Sequence, residues 1–254
     1  YPFILNPHGG PTSASLEAFD ATSQFFAGNG YVVLQPNFRG STNYGQTFVN
    51  ANIDAWGIAD YDDVMTGVDY MLDMGWVDED RLICFGWSYG GYMVTYALTN
   101  STRWAMGIAG ASVTDWREYD SVYTERYMRT PQNNTDGYKR SAPRFRAKSL
   151  HGALLLIHGS MDENVHMQNT LQFAYALQQA GKPFDMMVYP KSRHRLEGPE
   201  LEKHRHQTML NFAMRHLRPT TPGPNLTSAT ASLYSTPFVA QYIVAISSTA
   251  ATRF

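Results

Sequence analysis

Residues 81–93 read RLICFGWSYGGYM, and the fold turns on this stretch. Leu82, Ile83, Cys84 and Phe85 form an unbroken apolar run, as expected of a buried strand. After Gly91, the segment YMVTYALTN (92–100) carries apolar and aromatic residues at helical spacing. Between the two stands Gly86-Trp87-Ser88-Tyr89-Gly90. A serine flanked by glycines at a strand-to-helix corner is the nucleophile-elbow pattern: small neighbours allow a sharp turn, and the turn lifts the hydroxyl into the open. The bland alternative is a glycine-rich turn without chemistry. A strand before and a helix after favour the catalytic reading.

A serine hydroxyl is a weak nucleophile until a base takes its proton, the base needs a group to orient it, and the oxyanion needs preorganised donors. In a parallel α/β sheet such groups gather at the carboxyl ends of strands. Two later positions meet that requirement in the order serine, acid, histidine. ALLLIHGSMDENV places Asp162 in the turn after an apolar strand, and DMMVYPKSRHRLEG places His194 in the loop after the next. Taken alone, Asp162 reads equally well as a helix N-cap or turn residue, and Glu163 is a rival acid farther from the strand end. His194 alone, between Arg193 and Arg195, reads as a solvated loop histidine. Together with Ser88 they make a triad the better reading. The other histidines fit less well: His158 reads as a turn contact, and His204 and His206, two apart on a helix, face different ways. No grouping of cysteine, histidine and carboxylate suggests a metal, and the chemistry calls for no cofactor. NPHGGP (6–11) supplies the other half of the site, because glycines after a strand let backbone N–H groups approach an oxyanion; a simple Gly-Pro turn is the alternative. The expected donors are the N–H of Tyr89 and an N–H within Gly9-Gly10.

The rest of the chain supports an α/β reading. Apolar strands alternate with amphipathic segments: a strand at FILNP, a helix over 15–30, a strand at 31–40, a helix over 60–75, then strands at 104–113, 153–159 and 184–190, with helices over 169–181 and 202–217. That alternation predicts a mostly parallel sheet covered on both faces. Residues 115–150, polar and aromatic without a strong period, read as an insertion or cap. The chain has 254 residues, 43% hydrophobic and 17% charged, which suits a globular protein with a sizeable core. A net charge of −2 gives no electrostatic case for nucleic acid or an anionic membrane surface. No apolar run reaches the length of about 18 residues that a membrane span needs. The single cysteine, Cys84, sits in a core strand and reads as packing. The chain lacks an initiating Met and opens inside a strand, so a piece of a longer protein is expected. After Pro219 the composition turns rich in Pro, Thr and Ser. The tail, 219–254, reads as a linker with a β-like apolar middle, either an addition or an extra strand on the sheet edge.

HGGP, PNFRGSTNYG, GWSYGGYM, IHGSMDENV and the His194 loop, in that order, resemble the catalytic domain of the prolyl oligopeptidase family of serine peptidases. WREYDSVYTERYM (116–128) resembles its dipeptidyl peptidase IV and prolyl tripeptidyl peptidase branch. The resemblance covers about residues 1–218 and implies an α/β-hydrolase fold. It implies Ser88 as nucleophile, Asp162 as orienting acid and His194 as base. Tyr89 would give a backbone oxyanion donor and also wall the pocket. A hydrophobic proline pocket would be lined by Trp116, Tyr119 and Tyr123 with Val113 and Val165, and Asn164 would contact the substrate backbone. Flat aromatic walls suit a rigid pyrrolidine ring; the bland reading of this stretch is a packed aromatic patch. The resemblance also shows departures. Where that branch has an oxyanion tyrosine, His8 stands, as in acylaminoacyl peptidases, whose backbone donor falls on Gly10. The first strands of the hydrolase domain, the β-propeller and its amine-binding acids have no counterpart here, and a propeller is expected in the full-length parent. Three functions follow: a prolyl-type serine peptidase acting through an acyl-enzyme, a carboxylesterase on short acyl esters, or an inactive fragment or binding module.

Overall fold

The computed structural model describes residues 1–217 and the strand Tyr242–Ala245. In chain order its elements are β1 (Phe3–Leu5), α1 (Ala21–Gly28), β2 (Val32–Asn37), α2 (Gln46–Asn50), α3 (Ala59–Asp73), β3 (Leu82–Trp87), α4 (Tyr89–Asn100), β4 (Met106–Gly110), α5 (Ser121–Met128), α6 (Thr135–Arg140), β5 (Ala153–Gly159), α7 (Gln168–Gln179), β6 (Asp185–Tyr189), α8 (Pro199–His216) and β7 (Tyr242–Ala245). The strands form one sheet in the order β6-β5-β4-β3-β1-β2-β7, and every described pair is parallel. β3 is a central strand, so Leu82 and Cys84 enter one core while Ile83 and Phe85 enter the other. That is the two-residue alternation of a strand covered on both faces. The first core takes Val64, Val68 and Met71 from α3, Tyr92 and Leu98 from α4 and Phe173 from α7. The second takes Phe26 from α1 and Met209 and Phe212 from α8. Cys84 is buried and unbonded, and burial pushes its thiol pKa up.

Three differences from the sequence reading have physical causes. The helix expected over 15–30 begins only at Ala21, because Asp20, in extended backbone, accepts the Ser23 N–H at 2.7 Å and caps it. The preceding residues run as an open loop that leaves Phe19 exposed. The short helix α2 was not anticipated; five residues give periodicity little to register. The stretch 115–150 carries α5 and α6, and a buried carboxylate ties it down. Asp115, fully buried, takes Arg117 at 2.6 Å and Arg144 at 2.5 Å, and Arg144 also bonds Glu118. Of the tail, β7 pairs with Leu34 to Asn37 of β2; the rest of 219–254 lies outside the described residues.

The β3–α4 corner is the tightest point of the fold. Ser88 sits at φ 60° and ψ −119°, a left-handed conformation that costs a non-glycine residue energy. A Cβ on Gly86 would lie 2.4 Å from the Gly90 carbonyl carbon, and one on Gly90 would lie 2.2 Å from the Pro7 carbonyl oxygen. These contacts are backbone on backbone, so no side-chain rotation relieves them. Gly86→Ala or Gly90→Ala is therefore expected to cost about 1–3 kcal/mol. Urea unfolding checks this, and an unshifted midpoint would show that the corner relaxes without cost.

Candidate active site

Parallel strands bring four loops to one edge of the sheet, after β1, β3, β5 and β6. The β1 loop holds Gly9 and Gly10, the β3 corner Ser88, the β5 turn Asp162 and the β6 loop His194. A Cβ on Gly9 would lie 3.6 Å from the Ser88 Cβ, so the glycine loop runs directly beside the serine. The N–H groups of Gly9, Gly10 and Tyr89 donate to no described residue. Tyr89 opens α4, where helix N–H groups lack intrahelical partners and the helix dipole favours negative charge.

Asp162 is the electrostatic centre. Its Oδ1 accepts the backbone N–H groups of Asn164 and Val165, each at 2.9 Å. Its Oδ2 meets His194 Nδ1 at 2.8 Å and His158 Nε2 at 3.2 Å. Burial opposes its charge, but the hydrogen bonds from His158 and His194 and the nearby His194 charge overcome that and hold the carboxyl well below the usual carboxylate range. The bond to Asp162 engages Nδ1 of His194 and leaves Nε2 as its available base. Asp162 does not cap α7, whose N-cap is Met167. Glu163 instead faces Arg193 at 3.9 Å on the surface.

The β6 loop is pinned at several points. Met161 N donates to Ser192 O at 2.9 Å and Lys191 N to Ser160 Oγ at 3.0 Å, tying it to the β5 turn. The Trp87 indole N–H donates to the His194 carbonyl at 2.8 Å, tying histidine to elbow. The Ser88 hydroxyl makes no hydrogen bond with a described residue.

The HGGP loop has its own brace. His8 stacks on Phe38 with ring centroids 4.4 Å apart. Its Nδ1–H donates to Gly9 O at 2.7 Å, and its Nε2 accepts from Ser41 Oγ at 2.8 Å. Because the Gly9 carbonyl can only accept, Nδ1 carries the proton of the neutral ring, and Ser41 Oγ, which also accepts the Phe38 N–H at 3.1 Å, donates to Nε2. Both ring nitrogens are thus engaged, one within the loop and one with the loop after β2. Burial holds the His8 pKa down to about 4, so the ring is neutral at pH 7.

The residues expected to line the proline pocket come together, some more open than others. Trp116, Val113 and Val165 are fully buried. Trp116 packs on Trp56 at 4.3 Å, Tyr89 at 5.6 Å and Tyr119 at 5.8 Å, and Tyr119 on Tyr123 at 5.9 Å. Tyr119 and Tyr123 are half-buried. Tyr119 OH donates to Asn164 Oδ1 at 2.7 Å, and both border a cavity of about 590 Å³. The Tyr89 ring is buried against Trp116 and Trp56, and its hydroxyl donates to the buried Asp60. Burial pushes Asp60 up to about 6 against hydrogen bonds from Tyr89, Tyr61 and Asn52.

Sequence reasoning missed Trp56, Asp60, Ser41 and the bracing role of His158. Trp56 and Ser41 lie in loop segments without periodicity, and Asp60, at the start of α3, reads from sequence as a first-turn acid rather than a buried one. His158 closes an apolar strand, and its contact with Asp162, four residues on, exists only once the turn folds.

A mostly parallel sheet with helices on both faces, a serine elbow on its central strand and an Asp–His pair at neighbouring strand ends together define an α/β-hydrolase. The prolyl oligopeptidase family model matches residues 17–220, and the chain belongs to that family of serine peptidases. The chain is 39% identical over 204 residues to the probable dipeptidyl-aminopeptidase B of Neurospora crassa, a match covering 76% of this chain and 22% of that protein. The crystal structure of Porphyromonas gingivalis dipeptidyl peptidase 4 matches with a TM-score of 0.80 and 38% identity over 85% of this chain and 31% of that one. The Pyrococcus horikoshii acylaminoacyl peptidase matches with a TM-score of 0.81 and 27% identity over 89% and 38% respectively. The chain thus spans well under half the length of these relatives. No described helix is long and apolar enough to cross a membrane.

The buried His8 gives a pH prediction. Its folded pKa, about 4, lies below the ordinary 6.5, so the unfolded chain binds the extra proton between those values. Its contribution to stability is complete above pH 6.5 and is lost as pH falls towards 4. In His8→Gln, unfolding midpoints measured across this range should fall less steeply than in the wild type. Parallel curves would mean that the ring is not held neutral.

Proposed function

We propose that this domain is a prolyl-type, dipeptidyl peptidase-like serine peptidase working through an acyl-enzyme. The observation that carries the reading is the Asp162–His194 bond, anchored to the Ser88 elbow through Trp87. Ser88 Oγ attacks the scissile carbonyl while His194 Nε2 takes its proton. Asp162 keeps the imidazole oriented and stabilises its positive charge. The N–H groups of Tyr89 and Gly10, with Gly9 beside them, receive the oxyanion in a preorganised site. His194 then protonates the leaving amine, and water repeats the sequence to release the acyl group. On the acyl side, Trp116, Tyr119, Tyr123, Val113 and Val165 surround a proline ring, and Asn164 contacts the substrate backbone. The relatives' names and the aromatic cluster support this specificity. The short share of each relative that is matched supports a further domain, a β-propeller, in the full-length parent.

A carboxylesterase acting on short acyl esters is the second reading. The burial of Trp116 favours it, because a short acyl chain needs less of the aromatic patch to open. Esters also carry better leaving groups than amides and tolerate a looser site.

The deciding measurement compares kcat/KM for a Gly-Pro anilide and a short-chain nitrophenyl ester on one preparation. Ser88→Ala is expected to lower turnover of whichever substrate reacts by about 10⁴-fold or more, and Asp162→Asn by about 10⁴-fold. Anilide turnover that needs Ser88 supports the peptidase; ester turnover alone supports the esterase. Neither activity in the wild type would sink both and leave a binding module.

A further inference from the structure

Residues on the two faces of the sheet meet at Ser88. Tyr89 belongs to the core beneath the aromatic patch, whereas Trp87 packs against the opposite core, with α1 and α8. The Trp87 ring lies flat on Gly110, where a Cβ would stand 1.9 Å from its Cε3. On the ring sits the Arg205 guanidinium of α8, 5.5 Å from the ring centroid. Between Arg205 and the glycine loop opens a cavity of about 400 Å³, walled by Pro7, His8, Gly9 and Trp87, with the exposed Phe19 on its wall. Gly9 connects this cavity to the nucleophile, since it lies directly beside Ser88.

Arg205 makes no hydrogen bond or ion pair with a described residue, and its Nε is buried without a partner. A half-buried guanidinium with open donors is costly to keep unless an anion completes it. Burial lowers its pKa, against the weaker opposing charges of Glu202 and Asp20, neither of which bonds it. The acidic side chain on the cavity wall, Asp20, caps α1 through Ser23. Stacking on an indole leaves the planar fork's edge available, and that edge matches a carboxylate.

We propose that Arg205 is an anion-recognising subsite on the leaving-group side of Ser88, taking the free α-carboxylate of a short peptide leaving group. The assignment rests on the catalytic reading above and names a substrate class for it. The side follows from proton transfer. The leaving amine takes its proton from His194, which Trp87 holds through the indole N–H, so the departing residues run out over Trp87, away from the aromatic patch. A chain that ends soon after the scissile bond brings its carboxylate to Arg205. Longer chains place an uncharged amide there. The domain therefore favours oligopeptides with a free C-terminus close to the scissile bond.

The test uses Gly-Pro-Ala and Gly-Pro-Ala-Ala, each as free acid and as C-terminal amide, with the full chain. In the wild type the acid-to-amide ratio of kcat/KM for the better-fitting length should be about tenfold, the scale of one charge-assisted hydrogen bond. Arg205→Met keeps the apolar stem over Trp87 and should bring the ratio to about one; Arg205→Lys should keep part of it. Because the ratio compares two substrates on one preparation, loss of folded protein leaves it unchanged. Calorimetric binding of the same peptides to Ser88→Ala, with and without Arg205→Met, gives the same comparison without turnover. A wild-type ratio near one in both measurements, or a ratio that survives Arg205→Met, overturns the subsite. Acid-selective binding without any peptide turnover would count against the peptidase reading and for the subsite.

Discussion

The carbonyl oxygen of Pro7 stands where a side chain at residue 90 would be, and the carbonyl carbon of Gly90 crowds the Cα of Gly86. Much of the site follows from that contact. It draws the loop after β1 onto the first turn of α4, so that Gly9 lies directly beside Ser88. It also forces Ser88 into a left-handed conformation, which the packed strand and helix on either side hold in place. A bulkier residue at either glycine would separate the loops and disperse the donors.

Buried charge is handled differently at each place where it occurs. Asp162 receives three hydrogen bonds, has His158 Nε2 at 3.2 Å and remains a carboxylate. Asp115 is matched by two arginines and anchors the segment that carries the aromatic patch. Asp60 has neutral partners, Tyr89, Asn52 and the Tyr61 N–H, and its pKa rises accordingly. Arg205 has a ring face and no hydrogen-bond acceptor among the described residues. The contrast follows from desolvation: charged partners or several donors offset it, neutral partners offset it less, and an unmatched cation invites a ligand.

Strand periodicity also divides the site by function. Trp87, Ser88 and Tyr89 are consecutive, yet their side chains serve opposite faces and the sheet edge between them. Tyr89 joins the aromatic cluster of Trp56 and Trp116, and Trp87 carries the His194 anchor and the base of the Arg205 cavity. The elbow is thus flanked by helices on opposite faces of the sheet, α4 and its neighbours on one and α8 on the other.

Much was legible in the residues alone. The elbow shows because strand, glycines and helix follow one another without interruption, and the alternation of strands and helices is a local pattern that period and length reveal. Ser88, Asp162 and His194 could be picked because a parallel sheet places the ends of its strands along one edge. The late start of α1 depended on one capping carboxylate, a contact of Asp20 that composition does not announce. The bonds of His158 to Asp162, Trp87 to His194, Ser41 to His8 and Tyr89 to Asp60 join residues whose separation in the chain ranges from 4 to 107. No periodicity encodes such pairs. The sequence by itself determined most of the strands and helices, their parallel pairing and the residue types at each strand end, since these follow from local propensity and spacing. Only the tertiary structure decided which aromatics close on one another, which ring nitrogens are engaged and which carboxylate gathers the histidines, because burial and partner geometry exist only after the chain has packed.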